Sequence, residues 1–370
     1  MLTNVKIENF RSIENMELPL TNLNVVVGEN DIDASVLSQA FLIGKLVATG
    51  TWKEYVHKIG WNSLLPVDKR GRDGEMSFTF TTDFEKDTAD YIVTLSEKND
   101  SATAILAITN KETGVRRMFD PNQRQNTGMT LREEEIRNTF LFDIQSWWIQ
   151  GNPLKDSSNP LYVAEDGSNL GKVLAYLQTA YPTDCEDIVS SMKSVNPQLK
   201  QFLLNNGQVQ WREKGSDFVY DEKMMSNGTR RYLMLMTLLR SPVVRPLIIL
   251  ENPETSLHPS AIHTVGAAIR LLSEGKTISS QSSQLLVSTQ SEHLIDEFEA
   301  NNIIVATNER QHSYFERLDA KAAEGFLNFD DGDTLGKLWA NNTMAGACIH
   351  GSHERFNKWY AEQKDKDSSR

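Results

Sequence analysis

The sequence predicts an α/β fold, and three observations carry the prediction. From Leu247 onward, apolar runs and amphipathic stretches alternate in a strand–helix–strand rhythm, which implies a mainly parallel sheet with helices on its faces. Residues 74–120 alternate apolar and polar instead, the pattern of a half-buried antiparallel meander. The 370 residues, 39% hydrophobic and 24% charged, are a globular composition long enough for about two lobes.

Element by element, Val5, Ile7 and Phe10, then Met16 and Leu18, predict a strand pair, and Leu23 to Val27 a buried strand. Gly28 to Asp33 reads as loop, and Ser35 to about Val47 is apolar at helical spacing. In the meander, Met76, Phe78 and Phe80 alternate with Ser77, Thr79 and Thr81, and 91–95 and 104–108 add further strands. Residues 165–200 read as helical: Leu170, Val173, Leu174 and Leu177 follow i, i+3, i+4, i+7, with Ser168 or Asn169 as the cap. A hairpin around Lys214-Gly215-Ser216 precedes a helix starting near Gly228. Strand 247–250, helix 260–274, strand 284–289, helix 291–298 and strand 302–306 complete the rhythm. The expected domains are 1–124 (first part of a head, with the meander), 125–225 (a mainly helical lobe), 226–345 (second part of the head) and a tail, 346–370. No sustained heptad run is present, so no long coiled coil is expected.

Charge and composition exclude several classes. Lys and Arg total 38 against 50 Asp and Glu, a net charge of −12. Such a chain does not wrap duplex DNA through a general positive field, because each phosphate contact needs a local cation. No apolar run approaches the roughly 20 residues that a bilayer demands. Cys185 and Cys348, far apart in sequence, offer neither a disulfide framework nor a four-thiolate zinc site, and the start has no basic-then-apolar signal region. The expected setting is cytoplasmic, with no membrane partner.

Four collinear segments bear on chemistry: Asn9-Phe10-Arg11-Ser12 with Leu23 to Phe41; Ser226-Asn227-Gly228-Thr229-Arg230; Leu247 to Pro259; and Val287-Ser288-Thr289-Gln290-Ser291. In this order and spacing they resemble the ATP-binding-cassette-type ATPases of the RecF/SMC-like group. They look in particular like the compact bacterial "AAA family ATPases" that often belong to phage-defence or nuclease-associated operons. The resemblance covers nearly the whole chain, since Asp333 to Trp339 also looks like that group's C-terminal segment. It implies an ABC-type head with an antiparallel β subdomain and a helical lobe.

The chemistry departs from the family's pattern. A working phosphate loop reads G-x-x-x-x-G-K-[ST], its glycines letting backbone N–H groups curl around phosphates and its lysine neutralising charge. The aligned residues are Gly28-Glu29-Asn30-Asp31-Ile32-Asp33-Ala34-Ser35, so the second glycine is Asp33 and the lysine is Ala34. Two like unit charges about 4 Å apart repel by roughly 4 kcal/mol at an effective dielectric near 20. One such contact offsets about three decades of affinity. The bland reading of Glu29, Asp31 and Asp33 is a solvated acidic turn; a calcium loop would need a glycine and a distal glutamate that are absent. Glu251 falls at the magnesium-holding Walker B carboxylate. The glutamate that should follow it is Asn252, which cannot act as a general base, and the family's switch histidine is Gln290. The resemblance therefore implies an ATP site in weakened form, with Arg11, Gly28, Asn30, Ser35 and Glu251 as its remnants. Ser35 and Glu251 are the pair that would face magnesium.

Ser226 and Gly228 resemble the signature that contacts a γ-phosphate held by the opposite subunit, and Pro253 to Pro259 the turn that crosses the dimer interface. Two readings of Ser226 stand together: a helix cap that also serves an interface, or a helix cap alone. The resemblance implies a homodimer or heterodimer through the head, with a nuclease or toxin effector as partner. Three functions follow from these features. The leading one is a pseudo-ATPase acting as a structural or regulatory subunit. The others are an ATPase completed by a partner head and a DNA-binding module using Lys69, Arg70 and Arg72 with Lys111, Arg116 and Arg117. Cys348, His350 and His353 are ligand-type residues without a distant partner pair, which argues against zinc. Trp147 and Trp148 read as packing residues, and His258 and His293 have no acid–nucleophile context.

Overall fold

A computed structural model describes residues 1–28, 35–71, 74–84, 87–98, 101–119, 148–150, 161–205, 207–243, 245–277, 282–309, 311–319, 321, 333–341 and 344. The first elements are β1 (Leu2–Phe10), β2 (Ile13–Pro19), β3 (Leu23–Gly28), α1 (Ser35–Thr49), α2 (Trp52–Ile59), β4 (Gly74–Phe84), β5 (Asp87–Lys98), β6 (Ser101–Asn110) and β7 (Arg116–Phe119). There follow β8 (Trp148–Ile149), α3 (Leu170–Ala180), α4 (Pro182–Val195), β9 (Leu199–Asn205), β10 (Gln208–Glu213), β11 (Val219–Asp221), α5 (Asn227–Leu239), β12 (Leu247–Glu251), α6 (Pro259–Ser273), β13 (Gln284–Ser288) and α7 (Glu292–Ile295). The last are β14 (Ile303–Glu309), β15 (His312–Arg317) and α8 (Leu335–Ala340).

The chain forms two compact units, Met1–Trp147 with Ala300–Arg370, and Trp148–Glu299. These boundaries differ from those read in the sequence. The first unit draws on both chain ends because β14 returns to pair in parallel with β3, Val25 opposite Ile303 and Gly28 opposite Ala306. Its larger sheet is antiparallel, ordered β2-β1-β4-β5-β6-β7, as the alternation of apolar and polar residues predicts. Helix α1 packs on that sheet, with the Phe41 and Phe80 rings 5.3 Å apart. Gly44 makes this approach feasible, since a Cβ there would lie 2.7 Å from the Phe80 ring. Arg317 on β15 donates to the Pro19 and Asn301 carbonyls and to Asn24 Oδ1, and burial lowers the pKa of its guanidinium.

In the second unit, β12 lies between β13 and β8, parallel to both. The four leading residues of β12 and all of β13 are buried, which explains the apolar runs Leu247–Leu250 and Leu285–Val287. Between 161 and 225 the described residues hold α3 and α4, but also an antiparallel sheet ordered β11-β10-β9. The helical pattern read to residue 200 stops at Asn196-Pro197, where proline cannot extend it. Phe202 and Tyr220 then flank Trp211 across the strands. Asn169 occupies the cap position of α3, yet its side chain bonds Ala164 N–H and the Tyr162 carbonyl rather than the helix. Helix α7 has four residues instead of the eight expected.

The longest described helices, α1 and α6, have 15 residues each, so the α/β architecture carries no long coiled coil among the described residues. No helix among them is long and apolar enough to cross a membrane.

Candidate functional site

The second unit gathers most of the sequence-predicted site residues at the C-terminal end of β12. The strand is apolar through Leu250 and ends at the half-buried Glu251. Glu251 stands opposite Ser288 on β13, and its N–H donates to Gln150 Oε1 at 3.0 Å. The chain then turns sharply. Asn252 has φ 42° and Ser256 φ 67°, both in the left-handed region that side chains disfavour. The Asn252 N–H reaches the Ser288 carbonyl at 2.8 Å, and the Thr255 N–H closes the turn on the Asn252 carbonyl at 3.1 Å.

Helix α5 grips this turn from its first two windings. Ser226 caps the helix, its Oγ accepting from Thr229 N–H at 3.2 Å. Gly228 lies against the turn so closely that a Cβ would sit 2.3 Å from the Ser256 carbonyl oxygen. Arg231 spreads its guanidinium over three backbone carbonyls: Asn252 at 2.7 Å, and Glu251 and Pro253 at 3.2 Å each. Burial lowers the pKa of that guanidinium, and the Glu254 carboxylate partly opposes the shift.

Glu254 faces the β13 exit. Its Oε1 accepts from the Thr289 hydroxyl at 2.8 Å and from Gln290 N–H at 3.1 Å. Its Oε2 is buried without a hydrogen-bond partner among the described residues. Thr289 Oγ1 accepts from Ser291 N–H, and Ser291 caps α7. His258 caps α6 through Nδ1, a structural task for a residue with no catalytic neighbours in the sequence.

The first unit holds the other candidates. β3 ends at Gly28, whose carbonyl accepts from Trp339 Nε1 of α8 at 3.1 Å. Ser35 opens α1, and its Oγ accepts from Gln39 Nε2 at 3.0 Å. Arg11 sits in the β1–β2 turn at φ 52°, its N–H on the Leu64 carbonyl at 2.7 Å and its Nε buried without a partner among the described residues. Asn30, with Glu29, Asp31, Asp33 and Ala34, lies outside the described residues, as do Arg72, Trp147, Cys348, His350, His353 and the tail 346–370.

Sequence reasoning missed three participants. Gln150 follows a strand of two residues, too short to register as a periodic signal. Arg231 acts on carbonyl oxygens, which every residue possesses. Glu254 was visible as an acid in the turn, but its bonds to Thr289 and Gln290 were not. The basic clusters are partly satisfied within the chain: Lys69 pairs with Glu14 at 3.5 Å and Lys111 with Asp90 at 3.1 Å. Among the described residues no group of three His, Cys, Asp or Glu could hold a metal ion.

With this geometry in place, comparison with solved structures decides the architecture. An SMC head bound to the C-terminal winged-helix domain of ScpA aligns with a TM-score of 0.57 at 14% identity, covering 88% of this chain and 99% of that one. A second SMC head, with an extended coiled coil and bound to the C-terminal domain of ScpA derived from Pyrococcus furiosus, aligns at 0.54 and 12%, covering 89% and 99%. The chain has the SMC-head fold. Residues 148–296 also match the family model "AAA domain, putative AbiEii toxin, Type IV TA system", a stretch shorter than half the chain. No curated protein matches. Within that fold, the strand-end carboxylate, the capped helix and the β13 exit meet around the turn after β12.

Proposed function

We propose that this chain is a catalytically degenerate ABC/SMC-type head, a pseudo-ATPase that serves as a structural or regulatory subunit. The observation that supports this most directly is the state of residue 252. Its backbone is fixed by Ser288 on one side and Arg231 on the other, while its side chain is an amide. An amide has no proton-accepting role near neutral pH. The nearest replacement by sequence, Glu254, is turned to Thr289 and Gln290 and carries their donors.

The loop supports the same reading. It brings Glu29, Asp31 and Asp33 and no lysine. At its two ends the Gly28 carbonyl is taken by Trp339 and the Ser35 hydroxyl accepts from Gln39. These residues do not fit a triphosphate held through a lysine, and no hydrolytic step is assigned to them. The toxin-linked name of the matching family model supports a setting in anti-phage defence or nucleic-acid processing, beside a nuclease or toxin effector. The solved SMC heads bound to ScpA domains support a head that works with a protein partner, and the likeness of Ser226, Gly228 and Pro253 to Pro259 to a signature and an interface turn supports a homodimer or heterodimer.

Calorimetry with ATP and magnesium on the full chain tests this. No binding heat is expected until Asp33→Gly and Ala34→Lys are introduced together. Single-turnover hydrolysis above background by the unaltered chain, abolished by Glu251→Gln, would overturn the reading.

A further inference from the structure

A pair of exposed histidines in Trp148–Glu299 takes no part in the turn after β12. His263 projects from α6 with its side chain 61% exposed, and its Nδ1 meets Glu297 Oε1. His293, on α7, is also exposed, and the two imidazole rings stand 6.4 Å apart, centroid to centroid. We propose that His263 and His293 are the protein ligands of a zinc ion, with Glu297 as the residue that positions His263 and water completing the shell. The site shares no residue with the turn and does not depend on whether the chain binds a nucleotide.

The hydrogen bond to Glu297 carries the argument. An ionised carboxylate only accepts, so the hydrogen in this bond belongs to His263 Nδ1. In the neutral ring Nε2 then holds a lone pair, the form in which histidine binds a metal. Metal-bound histidines commonly give their other N–H to a carboxylate, which fixes the ring and raises its basicity. Glu297 is built in for this task. Gly266 of α6 leaves room for it, since a Cβ there would lie 2.5 Å from Glu297 Cγ. Further along α6, Arg270 Nη1 donates to the Glu297 carbonyl at 3.1 Å. Residues 263, 266 and 270 share one helix face, so a glycine admits the acid, an arginine holds its backbone and a histidine takes its carboxylate.

Charge and ligand type select the ion. Residues 292–299 bring Glu292, Asp296, Glu297 and Glu299 and no lysine or arginine, and such a field gathers cations. Imidazole suits zinc, copper and nickel, whereas calcium and magnesium take oxygen ligands. Zinc has no geometric preference of its own and accepts a shell completed by water. At a Zn–N length of about 2.0–2.1 Å, two imidazoles sharing one ion at a tetrahedral angle have centroids roughly 5 Å apart. The rings must therefore approach by about 1 Å. His293 makes no hydrogen bond among the described residues, so its ring can turn inward without breaking one. Two protein ligands are consistent with the lack, among the described residues, of any group of three that could hold a metal.

Calorimetric titration of the full chain with zinc chloride tests the site. His263→Ala and His293→Ala should each remove the same single equivalent of bound zinc, and the double variant should lose no more than either alone. Glu297→Gln should keep that equivalent and weaken it by roughly 10–100-fold, the usual cost of losing a carboxylate partner. Urea unfolding gives a second readout: zinc should raise the midpoint of the unaltered chain by more than that of His293→Ala. A chain that binds no zinc, or histidine variants that bind it as the unaltered chain does, would overturn the proposal. Loss of stability in His263→Ala without loss of a zinc equivalent would also overturn it, and would leave the His263–Glu297 bond as a clasp between α6 and the segment after α7.

Discussion

The turn after β12 and the start of α1 are both places where the proposed reading puts the remnants of phosphate chemistry, and the ties shown at each differ. Around the turn, side chains from α5, from the turn itself and from the β8 exit bond backbone groups at Glu251, Asn252, Pro253 and Gln290. At the start of α1 the ties shown are a carbonyl on Trp339 and a hydroxyl on Gln39. On the proposed reading, the departures from the family pattern are Asp33, Ala34, Asn252 and Gln290, all changes of side-chain chemistry. The retained Gly228 has a packing reason to stay. Retention of a signature glycine is therefore weaker evidence for a phosphate contact than it is when read from sequence.

Gly228→Ala is the sharpest way to break that comparison. The added Cβ meets a backbone oxygen at 2.3 Å, so the helix or the turn must move. Overpacking of this kind costs about 3 kcal/mol, near the top of the usual range. Urea unfolding measures it. A neutral outcome would return Gly228 to a purely ligand-contacting role.

Arg231→Ala ranks next. It leaves three carbonyls without their charged donor, and the expected loss is about 2–3 kcal/mol. Arg231→Lys should recover only part, since an ammonium cannot span three oxygens as a planar fork does. Full recovery by lysine would mean that charge, not geometry, secures the turn.

Much of the fold was legible because it is written in periodicity. The alternation of Met76, Phe78 and Phe80 marked β4, and the run at Leu247–Leu250 marked β12. The proposed lack of a general base rests on residue type alone, since position 252 carries an amide. What stayed hidden depends on partners without identity. Arg231 binds carbonyls, Gln150 binds an N–H, and neither leaves a pattern in the sequence. The hairpin read around Lys214-Gly215-Ser216 joins β10 to β11, but β9 was hidden for another reason. It is short, and half-exposed residues such as Phe202 and Leu203 blur its alternation.

Trp339→Phe probes the other region. It removes one neutral hydrogen bond to Gly28 and some ring contact, and should cost about 1–1.5 kcal/mol. The change in urea midpoint reads this directly. A cost as large as that of Arg231→Ala would erase the contrast between the two regions.

Ser226→Ala should have the smallest effect, about 0.5–1 kcal/mol, because it removes one exposed cap from a helix anchored by buried Leu233, Leu235 and Met236. Its value lies in separating two tasks of one residue. Ser226→Asp replaces the cap with another good one, and an acidic side chain suits a helix N-terminus. If capping is the whole role of Ser226, Ser226→Asp restores stability and leaves self-association, measured by analytical ultracentrifugation, as it was. If Ser226 also serves an interface, Ser226→Asp restores stability but weakens association, because a carboxylate then stands where a hydroxyl met the partner. Stability and association move together under the first account and apart under the second, which makes the pair of variants decisive between a cap and a cap with an interface.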